Sequence, residues 1–389
     1  MTSSPVIHWL GAGLSSGPGL LRLLANGARV CLWNRTLANA HQLVADAPSQ
    51  PEIFALNLDD LANRLEPGDV VVSMLPADMH VAVAKLAIAG RAHFVSSSYV
   101  SDAMRALDES AHEQQLCLVN EVGLDPGLDH LMAHLLIDAW RSSDRYDNSA
   151  KLSFRSYCGG FPAVSNDFCY KFSWSPVGVL RALLTPARYI AAGENCTAER
   201  PWEAITPYSV NLNGHSETFE AYPNRDSLPF MSEYNFDPGW PVEEFVRGTL
   251  RLQGWSLAWQ GIFDTLHDAS GDNHEETLNT LSNELWQHYR YADNEPDRVV
   301  LSVELHCQSE QETLFHRACT LDSLGNETGS AMARLVSIPV SLAVEDILAG
   351  KISHGVSTAP AEKHQIEQWF SVLERGGDCV QIEDVAFDL

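Results

Sequence analysis

A chain of 389 residues exceeds what one hydrophobic core usually serves, so two domains or two plus an accessory unit are expected. The 51 acidic residues against 25 Lys plus Arg give a formal charge of −26, which excludes a surface that tracks a nucleic-acid backbone but not a local anion pocket of a few arginines. No apolar run approaches membrane-spanning length, and eight scattered cysteines without a CxxC pair read as reduced thiols, neither zinc ligands nor staples.

The start, MTSSPVIHWLGAG, lacks the basic region of an export signal, and a cytoplasmic location is expected. Residues 6–10, VIHWL, read as a first strand that stops at Gly11-Ala12-Gly13-Leu14-Ser15-Ser16-Gly17, after which GLLRLLANG resumes with helical spacing. Strand, glycine turn and helix in that order suit a pyrophosphate at a helix N-terminus: Gly11 allows the turn and Gly13 a close backbone approach. The third glycine of the usual fingerprint is displaced from position 16 to 17, and a glycine turn that binds nothing stays open.

Residues 28–36 form a second strand whose end is where a dinucleotide fold reads the adenosine ribose. A ribose diol calls for a carboxylate there. This chain has Asn34-Arg35-Thr36, in which Arg35 can pair with a 2′-phosphate and Thr36 can add a hydroxyl, favouring NADP over NAD; a solvent-facing arginine is the plainer alternative. Asn57-Leu58 follow beside the expected adenine position. The run GDVVVSMLP reads as a strand buried on both faces, with Met74 and Leu75 at its ligand-facing end. Further helices and strands, among them one helix over 102–114, continue the alternation to about residue 124. Two loops close it: Ser96-Ser97-Ser98-Tyr99 and Leu124-Asp125-Pro126-Gly127 bring hydroxyls, a phenol and a carboxylate to the ligand edge, though Ser98 and Asp125 also suit helix caps.

From about residue 150 the pattern turns to aromatic, Gly/Pro-rich strands and turns, an α+β domain, with a helical, polar region over 261–290. Arg225, in YPNRDS, suits a clamp for a substrate carboxylate; a structural pairing with Asp226 or Glu220 is the alternative. Lys171 and Arg247 are weaker candidates. The small residues of 327–351 let a helix pack closely, and such a helix is expected to return to the first domain.

At SSYVS, NEVGLDPGLDHLMA, SYCGGFPA, YKFSWSPVGVL, AYPNRDSLPF and the ETG helix, the sequence resembles the saccharopine dehydrogenase family, along residues 6–350 or so. The resemblance implies an α/β fold: an N-terminal Rossmann-type parallel-sheet domain (1–128), a second α+β substrate and dimerisation domain (129–330), and C-terminal helices and tail (331–389) that fold back on the first. It implies an NADP-dependent oxidoreductase acting on a CH–NH group of an amino-acid-derived opine, working as a homodimer, with no metal, nucleic acid or membrane involved. Opine dehydrogenases of the carboxynorspermidine type and a non-catalytic NADP-binding regulator are the competing classes. Residue by residue, the resemblance adds Leu14 and Ser15 to Gly11 and Gly13 at the pyrophosphate, and places Arg35 and Thr36 at the 2′-phosphate and Asn57 and Leu58 near adenine. It lines the cofactor cleft with Met74, Leu75, Ser98, Leu124, Asp125, Pro126 and Ser175. Ser98, Tyr99, Asp125 and Arg225 are its substrate contacts, with Tyr99 and Asp125 the candidates for proton transfer.

Overall fold

The computed structural model describes residues 4–268 and 274–385; residues 269–273 of the expected helical stretch and 386–389 of the tail lie outside them. The chain forms two compact units, Met1–Leu131 with Glu327–Ala361 and Met132–Asn326 with Glu362–Leu389.

The first unit is built on β1 (Ile7–Leu10), β2 (Val30–Asn34), β3 (Glu52–Ala55), β4 (Val70–Ser73), β5 (His93–Ser96) and β6 (Cys117–Val119). They lie in the order β6-β5-β4-β1-β2-β3, all parallel, and Gly355–Ser357 adds a seventh parallel strand beside β6. Every residue of β1 and β4 is buried, as strands covered on both faces require. The register aligns the strand ends: Leu10 sits opposite Trp33 and Ser73, and Ser73 opposite Ser96. The loops that begin at Gly11, Arg35, Met74 and Ser97 therefore leave one edge, and the strand order reverses between β1 and β4, the switch point at which such sheets bind ligands.

Helix α1 (Gly17–Ala25) packs on the long helix Ala331–Leu348. A Cβ on Gly19 would stand 1.9 Å from the carbonyl oxygen of Ser337; the Gly19 N–H donates instead to Ser337 Oγ at 2.8 Å, and Arg22 reaches Ser341 and Glu345. The Gly19→Ala variant is therefore expected to lose about 1–3 kcal/mol of stability, as overpacked cores do, read as a lower urea midpoint. An unchanged midpoint would mean that the two helices part at no cost. The segment 102–114 forms two helices, not the expected one: Asp102–Arg105 closes with Leu107 N–H to the Met104 carbonyl at 2.9 Å, which turns Leu107 onto the core before Asp108–Glu113 begins.

The second unit carries a nine-stranded mixed sheet. β7 (Lys151–Pro162) pairs parallel with Val242–Arg251 and antiparallel with Asp297–Gln308, which continues to Thr313–Leu324. Against it lies an aromatic core that includes Phe168, Tyr170, Phe172, Trp255 and Trp259. The tail departs from expectation: Val380–Asp384 pairs antiparallel with Thr313–Leu324, so residues from 362 onward belong to this unit and not to the first. The physical reason is the open edge of Thr313–Leu324, whose backbone groups the last strand satisfies.

Candidate active site

The first loop takes its shape from three glycines and one serine. Gly11 has φ +107, and a Cβ on it would stand 2.8 Å from the Met74 carbonyl oxygen, so only glycine passes beside the end of β4. Gly13 differs. A Cβ there would meet no protein atom within 4 Å, so the protein itself makes no demand for glycine at this position, whereas a pyrophosphate lying against the backbone does. Ser16, in place of the usual third glycine, is buried: its Oγ accepts from Trp9 Nε1 at 2.6 Å and donates to the Gly11 carbonyl at 2.7 Å. The tight helix packing of that third glycine falls to Gly17, where a Cβ would stand 2.9 Å from Leu43 Cδ1, and to Gly19. No acid occupies the first turn of α1, which leaves its N-terminus favourable to negative charge. Leu14 is exposed and Ser15 half-buried at the crest of the loop.

At the end of β2, Asn34 is a buckle: its Oδ1 accepts from Ala12 N–H at 3.1 Å and its Nδ2 donates to the Thr36 carbonyl at 2.8 Å. Arg35 is exposed, and among the described residues no carboxylate pairs with it. The Thr36 hydroxyl makes no cap bond to α2 (Leu37–Leu43) although Thr36 precedes it. These three features fit a 2′-phosphate. Asn57, in contrast, caps α3 (Leu58–Ala62), its Oδ1 accepting from Asp59 and Asp60 N–H at 2.9 and 3.1 Å, and Leu58 packs partly into the core. The amide oxygen of Asn57 is thus committed to the helix.

The loops after β4, β5 and β6 hold the candidate chemistry. Met74 and Leu75 are half-buried. Tyr99 Oη donates to Asp125 Oδ1 at 3.0 Å, so the two groups singled out for proton transfer touch each other across two loops. Leu124 and Pro126 are buried beside Asp125, and Gly127 lies so close to Gly123 that a Cβ would stand 2.1 Å from its carbonyl oxygen.

Several residues of this edge escaped the sequence reading. His80, the first residue of α4 (His80–Ala89), bridges Ser73 Oγ at 2.9 Å and Ser98 Oγ at 2.8 Å. Burial lowers its imidazole to about 4, with Asp78 pulling the other way. Glu121 is buried and accepts from Val100 N–H at 2.7 Å with one oxygen while the other meets His130 Nε2 at 2.8 Å. Asp129 accepts from Gly127 N–H at 2.7 Å and lies 3.5 Å from His130 Nδ1. This chain of buried groups ties the residue after Tyr99 to the loop of Asp125. The available signal was polar residues inside apolar helical runs, MHVAV and GLDHLMAHLL, where a buried His or Asp needs a partner.

Arg225 and Ser175 lie in the second unit. Arg225 is exposed with φ +59, in the turn after His215–Pro223. Both carboxylates weighed as its structural partners bind elsewhere: Asp226 pairs with Arg188 at 2.9 Å, and Glu220 accepts from Gly254 and Ser256 N–H. Ser175 caps Pro176–Leu184, its Oγ accepting from Gly178 N–H at 3.4 Å. Lys171 is held by Glu295 at 2.5 Å, and Arg247 is buried with its guanidinium over the Phe230 ring. Among the described residues no group of three His, Cys, Asp or Glu is placed to hold a metal ion, and no helix is long and apolar enough to cross a membrane.

The chain is 32% identical to the NADP-dependent, L-glutamate-forming saccharopine dehydrogenase of Saccharomyces cerevisiae and 30% identical to that of Pyricularia oryzae, in each case over 90% of this chain and 92% of the relative. The solved apo, histidine-tagged saccharopine dehydrogenase (L-Glu forming) from Saccharomyces cerevisiae matches with a TM-score of 0.82 at 30% identity, covering 98% of this chain and 100% of that one. Residues 7–119 match the saccharopine dehydrogenase NADP binding domain and residues 123–378 the saccharopine dehydrogenase C-terminal domain, and with both halves accounted for, the chain belongs to the saccharopine dehydrogenase family.

Proposed function

We propose that the chain is an NADP-dependent, L-glutamate-forming saccharopine dehydrogenase that interconverts saccharopine with L-glutamate and 2-aminoadipate 6-semialdehyde through an imine, a step of lysine metabolism. The similarity that carries this reading runs along nearly the whole length of the two fungal enzymes so named. NADP, when bound, supplies the hydride chemistry of its nicotinamide. The chain's own residues bind, orient and move protons. Gly11, Gly13, Leu14 and Ser15 take the pyrophosphate, Arg35 and Thr36 the 2′-phosphate, and Leu58 with the remaining amide hydrogens of Asn57 the adenine side. Met74, Leu75, Leu124, Pro126 and Ser175 wall the cleft.

Ser98, Tyr99, Asp125 and Arg225 hold the substrate. In the oxidative direction the amine nitrogen gives up one proton, the water that adds to the imine carbon gives up two as it becomes the aldehyde oxygen, and the departing glutamate nitrogen gains two as it leaves as an ammonium, so one proton is released per reduced cofactor. Tyr99 and Asp125, already joined by a hydrogen bond, form an acid–base pair suited to those transfers. The resemblance further supports a cytoplasmic homodimer, which light scattering of the purified protein tests as to assembly.

The direct test supplies saccharopine with NADP or NAD separately and follows reduced cofactor and L-glutamate. NADP-preferring release of one glutamate per reduced cofactor is the expected result; turnover with another opine, or none in protein that binds NADP, replaces the reading. Within it, Arg225→Ala is expected to raise the saccharopine KM roughly 10–100-fold, the loss of a charge-assisted contact, and to leave the NADP Kd unchanged. Equal losses of both would give Arg225 a structural role.

A further inference from the structure

Ser73 ends β4 fully buried, and His80 is 5% exposed, its ring edge-on to Phe94. The ring stands between two hydroxyls, Ser73 Oγ on Nδ1 and Ser98 Oγ on Nε2. Lowered to about 4 by burial, the imidazole is neutral near pH 7 and carries a single N–H. It must therefore donate to one hydroxyl and accept from the other.

Ser73 decides the direction. Among the described residues His80 is the one hydrogen-bond partner of its hydroxyl, so accepting from Nδ1 would leave the hydrogen of a fully buried hydroxyl without an acceptor, an arrangement folded proteins avoid. Ser73 donates to Nδ1; Nε2–H then donates to Ser98 Oγ. Among the described residues the Ser98 hydroxyl has no acceptor for its own hydrogen, which leaves that hydrogen for a group outside the protein.

We propose that Ser73 and His80 form a relay that sets Ser98 as a hydrogen-bond donor toward an acceptor oxygen of a bound ligand, with His80 as its positioning residue. The acceptor is a carboxylate oxygen of the substrate or the carboxamide oxygen of the cofactor. The inference rests on the reading above that Ser98 faces bound ligand. It also gives the polar contact a fixed sense, because a relay anchored by a buried donor cannot reverse without orphaning Ser73.

A double-mutant cycle tests it, with the saccharopine KM from turnover and the NADPH Kd from cofactor fluorescence as separate arms. Ser98→Ala is expected to raise one of these constants about tenfold, the scale of a single hydrogen bond to a charged or polar acceptor. A raised KM identifies the substrate carboxylate; a raised Kd identifies the carboxamide. His80→Phe should raise the same constant about as much, and the double variant should lose no more than either alone. His80→Gln, whose amide can accept from Ser73 and donate to Ser98, should recover most of the loss. Should His80→Phe not fold, Ser73→Ala removes the same anchor and is expected to act on the same constant only while Ser98 is present. A multiplicative loss of about a hundredfold in the double variant, or unchanged constants in Ser98→Ala, would overturn the relay. The wild-type arm is independent: turnover of saccharopine with a flat Ser98→Ala result rejects the relay alone, whereas wild-type inactivity on saccharopine rejects the functional reading.

Discussion

Asp125→Asn is expected to lower kcat for saccharopine oxidation by roughly 10²–10⁴-fold, the contribution of a positioned acid–base group, while the NADP Kd stays nearly unchanged. The substitution conserves volume and leaves an amide oxygen able to accept from Tyr99 Oη, so the 3.0 Å contact survives in form and only the capacity to take up a proton goes. Tyr99→Phe removes the other half. Because the two groups share one hydrogen bond, the double variant should fall little below Asp125→Asn alone, as residues acting as a unit do. Independent, multiplicative losses would show that Tyr99 serves substrate binding and Asp125 proton transfer separately. An Asp125→Asn enzyme with near-normal kcat would move the acid–base role to another group altogether, and the buried Glu121 and Asp129 are poor substitutes, since each carboxylate already accepts from a backbone N–H and lies against His130.

The sites legible in sequence were those whose geometry follows from strand ends. Tyr99 and Asp125 were placed together because each follows a strand of one parallel sheet, and parallel register brings such loops to a common edge; the residues between strands needed no further information. What a side-chain oxygen near a helix start is doing is harder to read from sequence. Asn57 and Ser175 cap α3 and Pro176–Leu184, and an oxygen that accepts from backbone N–H groups has the same sequence signature as one awaiting a ligand. Ser16 was missed for the opposite reason: its value lies in bonds to Trp9 and Gly11, contacts that exist only once the loop has closed. The relay through His80 joins three positions on separate elements, Ser73, His80 and Ser98, at spacings no local period encodes. The final strand was invisible as a partner because pairing with Thr313–Leu324 depends on which edge is left open, a property of the finished sheet.

Arg35→Ala should weaken NADP roughly 10–100-fold and NAD far less, since hydrogen bonds to a charged group contribute about 1.5–3 kcal/mol and each 1.4 kcal/mol is about tenfold in affinity. Arg35 leaves the sheet at the end of β2 in register with the glycine loop, is exposed, and among the described residues pairs with no carboxylate, so binding a phosphate would break no existing ion pair. Exposure also makes the contact sensitive to salt: wild-type NADP affinity should fall as ionic strength rises, and the Arg35→Ala enzyme should show a shallower dependence. Asn34→Asp supplies the complementary test. It keeps an acceptor for the Ala12 N–H but removes the donor to the Thr36 carbonyl and sets a negative charge where a 2′-phosphate is proposed to bind, while a ribose diol would gain an acceptor. Its NADP affinity should drop and its NAD affinity hold or improve. Titrations with both cofactors on the three proteins decide the matter: unchanged NADP affinity in Arg35→Ala would remove Arg35 from the 2′-phosphate site, and selectivity would then have to come from Thr36 and the N-terminus of α2.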